Sequence, residues 1–125
     1  MITFSLEHLL EIHAVVIQET GGANGLRDLG RLEAVIAIQT QNGFGKELYS
    51  TVTEKASAMI KAIIADHPFV DGNKRTALLV GLTFLKLNGL EFNFQQSEIA
   101  DFAVKIAVDH LGVKDVNDWL TLHGV

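Results

Sequence analysis

The chain has 125 residues, 48% of them hydrophobic, a mean hydropathy of +0.26 and a formal net charge of −5. That suffices for one hydrophobic core and leaves no length for a second, so residues 1–125 are read as a single domain. The acidic balance excludes a general nucleic-acid surface, which needs a basic face, and the absence of cysteine excludes disulfides and thiolate metal sites and suits a reducing, cytoplasmic setting.

One proline, and apolar residues recurring at intervals of three and four, predict an all-α fold, a helical bundle of about six helices. A first helix is expected from about Ser5 to Glu19, burying Leu6, Leu9, Leu10, Val16 and Ile17 and ending at Gly21-Gly22. Met1 to Leu10 carries Glu7 and no basic run, which argues against a secretory signal. A second helix follows Asp28 and turns Leu29, Leu32, Val35 and Ile36 inward, with Glu33 and Gln39 outward, until Asn42-Gly43 and Gly45 break it. The third opens at Thr51, which can form a reciprocal capping box with Glu54, and carries Met59, Ile60, Ile63 and Ile64 as its core stripe. It should end near Asp66, because Pro68 disfavours helix at His67.

The fourth helix is expected from Asn73 to Asn88, with Gly89 after it. It carries Leu78, Leu79, Leu82 and Leu85 and is apolar on most sides, which places it at the centre. Its longest apolar run, Ala77 to Leu85, is interrupted by Gly81 and Thr83 and is far shorter than the roughly 20 residues that span a bilayer. Phe92 and Phe94 suggest a short extended segment. Ser97 is expected to cap a fifth helix carrying Ile99, Phe102, Ile106 and Val108 and stopped by Gly112. A last short helix from about Asp115 holds Leu120 and a buried anchor, Trp119.

Chemistry concentrates in His67-Pro68-Phe69-Val70-Asp71-Gly72-Asn73-Lys74-Arg75-Thr76, a polar, glycine-containing loop between the two most apolar helices. A helix starting at Asn73 offers unpaired amides and a positive dipole end to an anion, and Gly72 allows close backbone approach. Lys74 and Arg75 oppose that dipole, a local cost that makes sense if phosphate sits there. His67 has the side chain suited to proton abstraction near neutral pH, and Asp71 offers the hard oxygen that nucleotide-bound magnesium needs. Phe69 is expected to plug into the core. Base, anion hole, cations and metal carboxylate form the set that phosphoryl transfer uses. A His67/Asp71 metal pair on one helix is disfavoured, since Pro68 and Gly72 break it, and the segment lacks the upstream glycine of a P-loop. His8, His13, His110 and His123 have no motif around them and are read as surface or packing residues.

The segment resembles the motif of the Fic/Doc family, His-Pro-Phe-x-Asp/Glu-Gly-Asn-Gly-x-x-x-Arg, with the spacing kept from His67 to Asn73. Lys74 replaces the usual glycine and Leu78 stands where nucleotidyl-transferring members carry a second arginine. Asn-Lys-Arg-Thr-Ala is the Doc-type ending, and Gly25-Leu26-Arg27-Asp28-Leu29-Gly30, followed by Leu32-Glu33-Ala34, is similar to an upstream Doc signature. The resemblance implies His67 as base toward a protein hydroxyl and Asp71 as magnesium ligand. It implies Gly72, Asn73, Lys74 and Arg75 around the phosphates of ATP, Arg75 also acting on transition-state charge, and the terminal phosphoryl group as the one donated. It further implies a toxin that phosphorylates elongation factor Tu and is silenced by a Phd-type antitoxin. AMP transfer and a non-catalytic interaction module are the alternatives. Arg27 and Asp28 are left open between a loop-and-cap cluster and a substrate-side role. Some Fic proteins carry an inhibitory Ser/Thr-x-x-x-Glu-Gly/Asn helix. Thr3 to His8 and Ser50 to Lys55 come nearest and end in the wrong residue, so no internal inhibitor is expected.

Overall fold

Among the residues described by a computed structural model, 1–43 and 45–124, the chain forms six helices: α1 (Leu6–Thr20), α2 (Leu29–Ile38), α3 (Val52–Asp66), α4 (Asn73–Leu87), α5 (Gln96–Asp109) and α6 (Val113–Leu122). A small antiparallel hairpin of β1 (Asn42–Gly43) and β2 (Lys46–Glu47) lies between α2 and α3. The class is all-α, and no described helix is long and apolar enough to cross a membrane.

The core forms around the α3–α4 pair. Met59, Ile60, Ile63 and Ile64 of α3 face Ala77, Val80, Phe84 and Leu85 of α4, all buried. Gly81 makes this approach possible, because a Cβ there would overlap the Ile60 side chain. α1, α2, α5 and α6 surround the pair, adding Leu9, Leu32, Val35, Phe102, Ile106, Val116 and Leu120 to the same cluster.

The helix ends follow local chemistry. Ser5 caps α1, its hydroxyl accepting from the His8 amide at 3.3 Å, and Asp28 caps α2 by accepting from the Arg31 amide at 3.1 Å. Thr51 caps α3 through the Glu54 amide at 3.0 Å, but the return bond of the expected box is not formed among the described residues. α3 stops at Asp66, with His67 in the left-handed region (φ 49°, ψ 61°) and Pro68 after it.

Several expectations fail, some for tertiary and some for local reasons. Gln39 is buried rather than outward, since its amide closes a pair of bonds with the Phe4 backbone (2.6 and 3.0 Å) and another to the Ile36 carbonyl. Leu10, Leu29, Leu79 and Val108 are exposed, because no element covers their faces. Ser97 lies inside α5 rather than capping it. The Gln95 amide is instead satisfied by the Glu98 carboxylate at 2.9 Å. α5 ends at His110, in the left-handed region, so Gly112 becomes the start of α6. Trp119 is half-buried and stacks on Phe102, with ring centroids 4.2 Å apart.

Candidate active site

The connection from α3 to α4 is fastened by the loop before α2. Arg27 and Asp28 amides donate to the Pro68 carbonyl (2.8 and 3.0 Å), the Val70 amide donates to the Gly25 carbonyl (3.0 Å), and Leu26 bridges Phe69. The Arg27 guanidinium donates to the carbonyls of Asp66 and His67, taking up acceptors that the C-terminus of α3 leaves open. Both members of the upstream cluster make loop-and-cap contacts in the structure. Asp28 caps α2 and pairs with Arg31 at 3.2 Å, and Arg27 holds the backbone of His67. Neither lines the cleft formed by the motif.

From inside, Phe69 fills the core at 1% exposure and anchors the loop. Its backbone is clasped by the buried Asn73 side chain, whose Oδ1 accepts from the Phe69 amide (3.0 Å) and whose Nδ2 donates to the Phe69 carbonyl (2.9 Å). Asn73 therefore has its backbone amide, not its side chain, to offer a ligand. His13 of α1, expected to be an ordinary surface or packing histidine, is buried. Its ring stacks on Phe69 with centroids 3.9 Å apart, and Nε2 reaches the Asp71 carbonyl at 2.8 Å.

Gly72, at φ 74°, turns the chain into α4, and a Cβ there would press on Ile17 Cδ1 at 3.0 Å. The Asn73, Lys74 and Arg75 amides have no acceptor among the described residues, and no side chain caps α4. The start of α4, where an anion site is expected, thus offers unpaired donors at a positive dipole end. Lys74 and Arg75 are exposed on its first turn, with no acidic partner in that turn.

Asp71 is exposed and points its carboxylate into the same region. Oδ2 accepts from the Ala23 amide (3.2 Å) and Oδ1 from the Gly72 amide (2.8 Å), and these two bonds hold its carboxyl below the usual carboxylate range. Gly22 admits this arrangement, since a Cβ there would lie 2.6 Å from Asp71 Oδ2. His67, Asp71, Gly72, Asn73, Lys74 and Arg75 line one open cleft of about 430 Å3, together with Thr20, Gly21 and Val70. Lys74 and Arg75 also border an apolar groove of about 700 Å3 between α4 and α5 that includes Leu78.

No group of three or more metal-ligating side chains exists among the described residues. The donor set suits a different arrangement. One ionised carboxylate keeps lone pairs free beyond its two amide bonds, as is needed for magnesium that arrives with phosphate oxygens and its own waters.

His13 packs, as one of its two readings had it, but its bond to the Asp71 carbonyl and the part played by the Gly22-Ala23 turn were not read from the sequence. A signal for the histidine existed in the spacing Leu9, His13, Val16, Ile17, which puts it on the buried stripe of α1. The turn carried none, because its partner Asp71 is 48 residues away.

Comparison with known proteins agrees with this architecture. The Fic/DOC family profile matches residues 3–85. "Protein kinase doc" of Escherichia phage P1 is 36% identical over 116 residues, covering 93% of this chain and 90% of that protein. "Toxin Doc" of Mycolicibacterium smegmatis is 37% identical over 89 residues, covering 71% of this chain and 64% of the relative. The chain belongs to the Fic/Doc family.

Proposed function

We propose that this chain is a Doc-type protein kinase and toxin that moves the terminal phosphoryl group of ATP, with magnesium, onto a hydroxyl of a translation factor such as elongation factor Tu in the cytoplasm. The observation that carries the reading is the joint lining of one cleft by an exposed His67, an ionised Asp71 and the uncapped start of α4 with Lys74 and Arg75. The relatives' names, a protein kinase and a toxin, point the same way.

In this reading the Asn73, Lys74 and Arg75 amides and the two cationic side chains receive the phosphates. Charge developing on the transferred group meets fixed donors rather than reorienting water. His67, its backbone held by Arg27, takes the proton of the attacking hydroxyl, a contribution worth about 10² to 10⁴ in rate. Asp71 would hold magnesium, which would supply positive charge against that of the phosphates. Leu78 leaves the cleft without a second arginine, which favours presentation of the terminal phosphoryl over AMP.

Since no internal inhibitor is expected from the sequence, restraint is proposed to come in trans. A Phd-type antitoxin segment that folds on binding is the proposed partner, and the apolar groove of about 510 Å3 lined by Ile2, Ile12, Val15, Leu79 and Leu87 is the surface it would cover. The test is intact-mass analysis of elongation factor Tu after incubation with the protein, ATP and magnesium. A phosphate adduct supports the reading, an AMP adduct replaces it with nucleotidyl transfer, and no adduct removes this target.

A further inference from the structure

His13 is the only buried histidine among the described residues. An imidazole on the apolar stripe of α1 is a costly choice unless its polar atoms are engaged. Here the ring lies flat against Phe69, planes 4° apart, and Nε2 is 2.8 Å from the Asp71 carbonyl oxygen. A carbonyl only accepts, so Nε2 carries the hydrogen.

The peptide held by this bond joins Asp71 to Gly72, where the loop becomes α4. Because a trans peptide is planar, turning its carbonyl inward to His13 sends its N–H to the opposite side. That N–H is the one that donates to Asp71 Oδ1 at 2.8 Å, while the Ala23 amide takes Oδ2. The orientation of this peptide plane therefore sets, together with the Ala23 amide, where the carboxylate rests, and it sets how the Asn73, Lys74 and Arg75 amides leave the turn. Pro68, Val70 and the backbone of Phe69 are fastened by other partners, but the Asp71 carbonyl has His13 alone among the described side chains.

We propose that His13 is a positioning residue for the magnesium-nucleotide site. Its Nε2–H sets the Asp71-Gly72 peptide and, through it, the carboxylate and the helix-start donors, without touching substrate. The proposal rests on the reading of Asp71 and the start of α4 as that site.

Two variants separate the bond from the packing. His13→Phe keeps an aromatic ring against Phe69 and removes the donor, whereas His13→Gln restores an Nε2–H at the same number of bonds from Cα. In nucleotide-free, 15N-labelled protein, the amide resonances of Ala23 and Gly72, the two donors to Asp71, should shift in His13→Phe and return toward wild type in His13→Gln. Unchanged Ala23 and Gly72 resonances in His13→Phe overturn the proposal. In calorimetric titration with Mg-ATP, His13→Phe should bind roughly 10- to 100-fold more weakly, the range found when a group orienting a metal ligand is lost. This loss should be non-additive with that of Asp71→Asn, since both act through one carboxylate. Strictly additive losses, or an equal loss in His13→Gln, would assign His13 to packing alone. If wild-type protein binds no Mg-ATP while Ala23 and Gly72 still respond to His13→Phe, the nucleotide reading fails and the control of the peptide by His13 stands.

Discussion

Replacing His67 by glycine should make the protein more stable while destroying its activity. His67 sits at φ 49°, ψ 61°, and His110, at the end of α5, has nearly the same conformation (φ 51°, ψ 47°). An L-residue in the left-handed region costs roughly 1–2 kcal/mol, and glycine escapes that cost but gives back about 0.5–1 kcal/mol in unfolded-chain entropy. The exposed His67 imidazole bonds to no described residue, so little else is lost. The net gain is about 0.5–1 kcal/mol, a rise in Tm of about 2–4 °C for a chain of this size. His110→Gly should show the same rise with transfer intact, and His67→Ala, which keeps the strain, should melt like wild type. Both His67 variants should lose about 10² to 10⁴ in phosphoryl transfer. Thermal melts and a transfer assay on the three variants decide the matter. If His67→Gly melts at or below wild type while His110→Gly gains, the imidazole makes a stabilising contact and the strain argument fails. Activity within a few-fold of wild type in both His67 variants would remove His67 from the mechanism.

Asp71→Asn should move the magnesium dependence of transfer to higher concentration, because it removes the charge the ion needs; superimposable titration curves would exclude Asp71 as ligand. Gly22→Ala should mimic that defect without touching the motif, since its Cβ would displace the Asp71 carboxylate, and unaltered metal dependence would show that the turn adapts freely. Arg75→Ala should slow transfer more than it lowers Tm, given its exposure, whereas equal activity with a lower Tm would mark it as structural. Gly81→Ala, which would favour an isolated helix, should instead destabilise the fold by about 1–3 kcal/mol through overpacking on Ile60. Denaturant melts of Gly81→Ala with and without Ile60→Val check this, and the double variant should recover part of the loss.

The legible parts of the fold were those set by neighbours in sequence. Pro68 and Gly72 bounded α3 and α4 almost to the residue, and the stripes of Ile60, Ile63 and Ile64 placed the core, because these effects act within a few residues. Gln39 could not be read correctly, since its partner is the Phe4 backbone 35 residues earlier. The α5 start was misplaced for a subtler reason, as Glu98 reaching back to the Gln95 amide outcompetes the Ser97 hydroxyl as a cap. Within the site, residue types and spacing named the groups that line the cleft, His67, Asp71 and Gly72 to Arg75. What aims them came from afar: α1 through His13, the Gly22-Ala23 turn and the Arg27 guanidinium.

The pairing of Gly25–Asp28 with Pro68–Val70 has a consequence for anyone wishing to transplant this chemistry. A ten-residue graft of His67 to Thr76 between two foreign helices would import every reactive group and none of the braces that orient them. The portable unit extends back through the α2 approach to α1. Host scaffolds for such a graft should be chosen by whether they supply an antiparallel neighbour to the loop, and less by whether they offer a suitable helix hairpin.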